Sequence, residues 1–185
     1  ALIWGVTYLT LGVLQRERAA EVYREHVTER GHHPARLELK PSIGNNILFR
    51  AFYAHEGHFY ADSVRVPWWG EPHVYPGGRV PALDIAALRA TLDPIHQGDL
   101  DRFAYFSANY LVEDPTHPGF ISDFRYAMVP NDISPLWGID MGRREPNTHV
   151  NFERFSRVKK RHRDAMLHQL LGRHEASTGD PAPLP

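Results

Sequence analysis

The chain has 185 residues, of which 42% are hydrophobic and 23% charged, and its formal net charge is −1. This length can bury a core, and the nearly neutral charge does not indicate nucleic-acid binding, so no nucleic-acid partner is expected. The absence of cysteine excludes a disulfide framework and a cysteine-based zinc site. These features predict one domain over residues 1–174, followed by a flexible Pro-rich tail over residues 175–185.

The first segment is predicted to form one long helix that ends near Gly31, because Gly31 and Pro34 both stop helices. Residues 1–14 contain no charge and are apolar on nearly all sides, whereas the residues from Gln15 onward are rich in Arg and Glu. A helix that is apolar all round is either deeply buried or surrounded by lipid. Residues 1–14 are therefore either a core helix or the end of a membrane helix. Because the chain starts without Met, it is expected to be a fragment or a processed product.

A β-hairpin is predicted over residues 47–66, after a short strand that Pro41 interrupts. With Glu56 and Gly57 as the two-residue turn, the facing pairs are Tyr53–Tyr60, Ala51–Asp62 and Phe49–Val64. Residues 68–81 are rich in Gly and Pro and are predicted to form a loop. The two adjacent tryptophans at its start either close the edge of the core or form a contact surface.

The second half of the chain is predicted to contain three helices and several strands. Helices are expected over residues 84–92, with Asp84 as the N-cap, and over residues 98–110. Strand candidates follow over residues 110–114, 119–129, 136–143 and 150–156. A C-terminal helix over residues 158–174 closes the domain. The order predicts an α+β fold, in which one curved antiparallel sheet of about five to six strands packs against the long N-terminal helix, two short middle helices and the C-terminal helix.

Charged residues lie within the apolar strands. Asp123 and Arg125 share one face of the strand over residues 119–129, because side chains alternate along a strand. Arg50 and Asp62 lie on the two arms of the hairpin. These groups either form a structural network or line a polar pocket for an anion or a polar small molecule. The candidate ligand-binding residues are therefore Arg50, Asp62, Asp123, Arg125 and Tyr126; no catalytic residue is predicted.

Two histidine pairs are candidates for metal binding. His55 and His58 flank the hairpin turn, where they either hold a metal with a third ligand or face solvent. This is not the helical HExxH zinc motif, because the glycine and the strand pattern indicate a turn. His32 and His33 lie at a helix end, where an imidazolium interacts favourably with the helix dipole. Neither pair is expected to bind a metal, and no cofactor is predicted for this part of the protein.

Several short motifs resemble the C-terminal part of the membrane-bound metal-dependent hydrolases, the YdjM-like family. They are an apolar helix leading into an Arg-rich stretch, then KPSIGNNILFR, HFYADSVRV, DRFAYFSANYLVED, ISDFRYAMVP and LWGIDMG, and they cover roughly residues 1–143. The corresponding positions are Pro41, Asn45, Phe49, Arg50, Phe106, Ser107, Tyr110, Asp123, Arg125 and Tyr126.

The resemblance implies a soluble accessory domain of a membrane-bound, metal-dependent hydrolase. The family's metal ligands lie in an HRG…THS-like motif of the N-terminal membrane portion, which this chain does not contain. A divalent metal is therefore implied for the full-length protein only, and the implied partner is the upstream membrane portion. Because Arg16 and Arg18 follow the apolar helix, the implied location is the inner membrane, with the domain on the cytoplasmic side.

Two other function classes stay open. The chain could be a stand-alone small-molecule-binding module with a cone-like sheet, whose cavity mouth Trp68, Trp69, Tyr53 and Tyr60 would line. It could instead be a membrane-surface or protein-interaction domain. The second class would use the basic run over residues 157–163, which is otherwise a solvated helix face, to contact an anionic membrane surface. No oligomeric state is predicted.

Overall fold

The structure is a computed structural model that describes residues 2–42, 44–154 and 160–173. Four helices and nine strands are present in these residues. In chain order they are α1 (Leu2–Glu29), β1 (Leu37–Pro41), β2 (Leu48–His55), β3 (His58–Arg65), β4 (His73–Tyr75), β5 (Arg79–Pro81), α2 (Ile85–Ala90), α3 (Pro94–Phe106), β6 (Leu111–Glu113), β7 (Phe120–Asp123), β8 (Trp137–Asp140), β9 (Phe152–Arg154) and α4 (Lys160–Leu170). The C-terminal tail and part of the basic run lie outside the described residues.

The predicted α+β class is confirmed, with the strands divided between two antiparallel sheets. The first sheet has the order β1-β2-β3-β4, with β5 also paired to β3, and the second has the order β6-β7-β8-β9. The prediction of one sheet did not foresee this division. Its physical reason is local: α2 and α3 separate β5 from β6, and β6 then pairs with β7, which follows it directly.

The predicted hairpin is confirmed residue by residue. Tyr53 pairs with Tyr60, Ala51 with Asp62 and Phe49 with Val64. Glu56 and Gly57 have φ values of 47° and 73°, and a type I′ turn places both of its central residues at positive φ. Because this turn fixes the register, it also fixes which side chains share a face of the sheet.

The hairpin is covered on both faces, as the sequence predicts. One face packs against α1 through a core that includes Tyr23, Phe49 and Val64. The other face packs against the second sheet through a core that includes Phe52 and Phe124. Since successive side chains alternate, Arg50 and Asp62 point to opposite faces of this one hairpin.

Three segments differ from the predictions. Residues 68–81 were expected to be a loop, but they contain the short strands β4 and β5. The second middle helix begins at Pro94 rather than near residue 98, because the Asp93 side chain caps it by accepting from two backbone N–H groups. The strand expected over residues 119–129 ends at Asp123, because the Asp123 carboxylate accepts from the backbone N–H of Arg125 and turns the chain.

The long N-terminal helix is confirmed, but only its second half packs on the domain. Its buried residues recur at helical spacing and face the first sheet: Gln15, Ala19, Ala20, Tyr23 and Val27. Among the described side chains before Gln15, the large apolar ones are between 36% and 68% exposed; they are Val6, Tyr8, Leu9, Leu11, Val13 and Leu14. This half is therefore not a core helix.

Candidate functional site

Asp62 is the centre of a buried polar network between α1 and the first sheet. Its carboxylate accepts from both terminal guanidinium nitrogens of Arg30 at 2.8 and 2.9 Å, from the Tyr23 hydroxyl at 2.7 Å and from the Gly77 backbone N–H at 2.8 Å. Asp62 is only 1% exposed. A buried carboxylate is tolerated when its oxygens are hydrogen-bonded in this way. The network therefore joins the end of α1 to β3 and to the segment before β5.

The same network extends to the protein surface through Tyr53 and His32. Arg30 also donates to the Tyr53 hydroxyl at 3.3 Å, and that hydroxyl lies 2.7 Å from Nδ1 of His32. Burial raises the pKa of Tyr53, so the phenol keeps its proton. The phenol accepts from Arg30, and the direction of its hydrogen bond to His32 depends on which imidazole nitrogen carries the proton. The result is a continuous chain of hydrogen bonds from buried Asp62 to a half-buried imidazole.

Four aromatic rings surround the outer end of this chain, and we name them the histidine–tyrosine cluster: His32, Tyr53, His55 and Tyr60. The imidazoles of His32 and His55 stack at 4.0 Å between centroids, and the two tyrosine rings stack at 5.0 Å. Burial, together with the neighbouring His55 and Arg30, lowers the pKa of His32. A neutral imidazole therefore ends the chain at neutral pH, and protonation there is opposed by the charge of Arg30.

Sequence reasoning missed this cluster. It treated His32 as a helix cap and His55 as a turn residue. The available signal was the alternation along β2, which puts Tyr53 and His55 on one face, opposite Tyr60. The position of His32 depends on how the chain turns after Gly31, whose φ is 77°.

Arg50 lies on the opposite face of the hairpin, toward the second sheet. It is 5% exposed and donates to three backbone carbonyls, those of Phe124 at 2.7 Å, Pro130 at 2.6 Å and Asp132 at 2.7 Å. Burial lowers its pKa to about 10, an effect that the nearby Asp132 opposes. Arg50 thus fastens the segment after β7 to β2 by hydrogen bonds to the main chain.

Asp123 and Arg125 form an ion pair at the C-terminal end of α3. The guanidinium donates to both carboxylate oxygens at 2.9 and 2.7 Å, and its Nη2 also donates to the carbonyl of Phe106, the last residue of α3, at 2.6 Å. A cation at the C-terminal end of a helix interacts favourably with the helix dipole. The pair therefore stabilises the contact between β7 and α3. Tyr126 lies beside it, with its ring 4.7 Å from that of Trp137.

The five candidate residues therefore do not surround one pocket. The hydrogen-bond partners of Asp62, of Arg50 and of Asp123 are three separate sets, and Arg50 and Asp62 lie on opposite faces. This arrangement fits the structural-network alternative, and a ligand-binding role for these residues stays a prediction. Three open depressions of about 350 to 440 Å³ lie elsewhere on the described surface, and none is lined by any of the five residues.

The aromatic residues expected at a cavity mouth are also separated. Tyr53 and Tyr60 lie near the hairpin turn and stack on each other. Trp68 and Trp69 follow the opposite end of β3, and they are 40% and 90% exposed. Since a strand rises roughly 3.3 Å per residue, the two pairs lie at different ends of the sheet. They do not line a common mouth.

A second candidate surface is the uncovered half of α1, residues 5–14, which we name the apolar turns. Successive helical residues are rotated by about 100°, so the six exposed apolar side chains surround the helix rather than share one face. The apolar turns end where Gln15 donates to the carbonyl of Val66 at 2.9 Å. Among the described residues, no helix is long and apolar enough to cross a membrane.

Comparison of the chain with family models, with curated proteins and with solved structures found no match. Within residues 2–42, 44–154 and 160–173, no three His, Asp or Glu side chains are grouped so that they could hold a metal ion. His58, for example, directs Nδ1 to the carbonyl of Glu56 at 3.0 Å. The described residues therefore do not fit the divalent metal that the family resemblance implies, and no hydrolytic step is assigned to them.

Proposed function

We propose that this chain is the accessory domain of a membrane-bound protein, and that the apolar turns are the lipid-embedded end of a membrane helix. The observation that supports this proposal is a helix that is apolar on all sides and exposed over residues 5–14, yet continuous with a half that packs tightly on the sheet. Isolated helices shorter than about 12–15 residues are marginal in water, and their stability in proteins comes from packing. Lipid supplies that packing to a helix without a polar face.

Covering the apolar turns with an apolar environment is energetically favourable. Fully burying one large aliphatic or aromatic side chain is worth about 1.5–3 kcal/mol. The apolar turns expose six such side chains, of which Leu9 is 68% exposed. The helix rises about 1.5 Å per residue, so residues 5–14 extend roughly 15 Å, which is about half of a bilayer's hydrocarbon thickness. A second segment of membrane helix would be needed to complete a span.

The resemblance to the YdjM-like membrane-bound metal-dependent hydrolases supplies the kind of protein. In this proposal the metal centre and its divalent metal belong to the membrane portion, and this domain takes no chemical step itself. Arg16 and Arg18 follow the apolar turns directly, which favours the cytoplasmic side of the inner membrane. The buried ionic groups at Arg50, Asp62 and Asp123 then have one shared task, which is to hold the domain together beneath its anchor.

Vesicle flotation tests the proposal. We expect the chain to float with phosphatidylcholine–phosphatidylglycerol vesicles, and the double variant Leu9→Glu/Leu14→Glu to lose at least tenfold in binding, because a carboxylate inside lipid costs several kcal/mol. The matched control is Leu171→Glu, which changes an apolar side chain of similar exposure, 60% against 55% for Leu14, at the far end of the chain. Absence of flotation, or equal loss in the control, contradicts the proposal.

A further inference from the structure

We propose that the loop Pro67–Trp69 is a second membrane contact, which inserts its tryptophans at the level of the lipid head groups. This inference rests on the proposed function, since it takes the apolar turns as the first contact. It adds that the domain is held against the bilayer at two points and therefore has a fixed orientation. A single helix would leave the domain free to swing.

The loop lies beside the end of the apolar turns. Gln15 donates to the carbonyl of Val66 at 2.9 Å, and Arg18 donates to the carbonyl of Pro67 at 3.3 Å. These two helix residues directly follow the apolar turns or lie within one turn of them, and their partners directly follow β3. The loop is therefore fastened to α1 at the place where the helix changes from exposed and apolar to packed. A membrane surface that ends at this place passes beside the loop.

The tryptophans of the loop are exposed and of a type suited to a membrane interface. Trp69 is 90% exposed and Trp68 is 40% exposed, whereas most large apolar side chains of the sheet are buried. Tryptophan is enriched at membrane–water interfaces, because its ring is apolar and its indole N–H donates to head groups. Two adjacent tryptophans at an exposed loop are thus explained by an interface, and no core contact accounts for Trp69.

The charges near the loop favour the bilayer interface over a purely anionic ligand. Arg16 is paired with Glu17 at 2.9 Å, and Glu71 follows the loop. The local charge is therefore mixed, so an anionic surface gains little here. Insertion of rings into the interface does not depend on head-group charge, and we expect binding through the loop to persist at high salt.

Trp fluorescence in vesicles tests the inference on the full chain. The chain has four tryptophans, and the variant Trp4→Phe/Trp137→Phe keeps only those of the loop. We expect its emission to shift to shorter wavelength on addition of vesicles, and lipids brominated near the head group to quench it more than lipids brominated near the chain end. The control keeps only Trp137, which lies in the second sheet, and neither lipid should quench it.

A binding comparison completes the test. Trp69→Ala should weaken vesicle binding roughly tenfold, by the apolar area that it withdraws from the interface. Tyr105→Ala removes a side chain that is also 90% exposed but lies on α3, and it should leave binding unchanged. If the chain floats but its loop fluorescence is neither shifted nor quenched, the second contact is wrong while the proposed function stands. If lipid-free chains associate and shield Trp69, a second copy is the occupant and the inference is overturned. Absence of flotation removes the proposed function itself.

Discussion

The two ends of α1 differ in how they contact the rest of the molecule. At its C-terminal end, Arg30 and Tyr23 are hydrogen-bonded to buried Asp62. At its N-terminal end, the large apolar side chains of the apolar turns are between 36% and 68% exposed. A helix that is fixed to the domain at one end and exposed at the other couples the domain's position to whatever binds the exposed end. The same helix is thus packed and hydrogen-bonded at its C-terminal end and exposed at the apolar turns.

Breaking the Asp62 network at the C-terminal end of α1 should have the largest effect on stability. Asp62→Ala leaves the Arg30 guanidinium, the Tyr23 hydroxyl and the Gly77 N–H without their acceptor, so we expect the free energy of unfolding to fall by about 3–5 kcal/mol. Urea denaturation measures this. The control is Asp101→Ala, which breaks an ion pair to Arg89 that is about half exposed and should cost at most about 1 kcal/mol. Equal losses in the two variants would contradict the account.

An ion pair remote from α1 should give an intermediate effect. Asp123→Ala removes the acceptor of the Arg125 side chain and of its backbone N–H, and we expect a loss of about 1–3 kcal/mol, because Arg125 keeps the carbonyl of Phe106 and is partly exposed. Thermal and urea melting check this value. An unchanged melting temperature would instead remove the structural role of Asp123 and favour a ligand role.

The effect of pH on stability, through the histidines at the C-terminal end of α1, should be smaller still. The pKa of His32 is lowered in the folded state, so the unfolded chain binds its proton more readily. The stability that neutral His32 contributes is therefore fully present above about pH 6.5, the pKa of histidine in the unfolded chain. It is lost as the pH falls through that pKa. The pKa of His26 is lowered as well, by burial and by Arg30, and acts in the same direction.

Melting temperatures at about pH 7.5 and 5.5 should therefore fall with pH, and His32→Gln should reduce the difference between them. His58→Gln is the control, because His58 lies at the hairpin turn and directs Nδ1 to the carbonyl of Glu56 in that turn. A pH dependence that His32→Gln leaves intact would show that the histidine–tyrosine cluster is not its source.

Substitutions in the apolar turns should have no effect on stability in water. Leu9→Glu/Leu14→Glu replaces side chains that are 68% and 55% exposed, so we expect the free energy of unfolding to stay within about 0.5 kcal/mol. Val27→Ala, in the packed half, should cost roughly 1–3 kcal/mol, because Val27 is 2% exposed. Urea denaturation of both variants separates the halves. A large loss in the double variant would mean that the apolar turns pack on the domain.

The sequence predicts the hairpin well and the charged sites only in part. The register follows from the Glu56–Gly57 turn, and alternation from that turn already separates Arg50 from Asp62, although the two were grouped into one pocket. The partners of Asp62 come from α1 and from the segment before β5. Such contacts between distant parts of the chain leave no local pattern, so neither the place of His32 in the histidine–tyrosine cluster nor the network of Asp62 could be assembled from the sequence.

Strand ends and sheet division were also beyond the sequence pattern. Alternation of apolar residues continues past Asp123, but the carboxylate of Asp123 turns the backbone there by accepting from Arg125. A competing hydrogen bond from a side chain is a local event that periodicity does not reveal. The exposure of the apolar turns, in contrast, speaks against the core-helix alternative that composition left open, and the membrane-helix alternative stays a prediction.

Hydrogen exchange along α1, with and without vesicles, tests the central claim most directly. In water we expect the backbone amides of the apolar turns to exchange rapidly and those over residues 19–27 to exchange slowly, because only the second part is packed on the sheet. With vesicles, the amides of the apolar turns should become as slow as those of the packed half. If vesicles leave these amides unchanged while the domain stays folded, residues 5–14 do not enter lipid and the account of a membrane-anchored domain is contradicted.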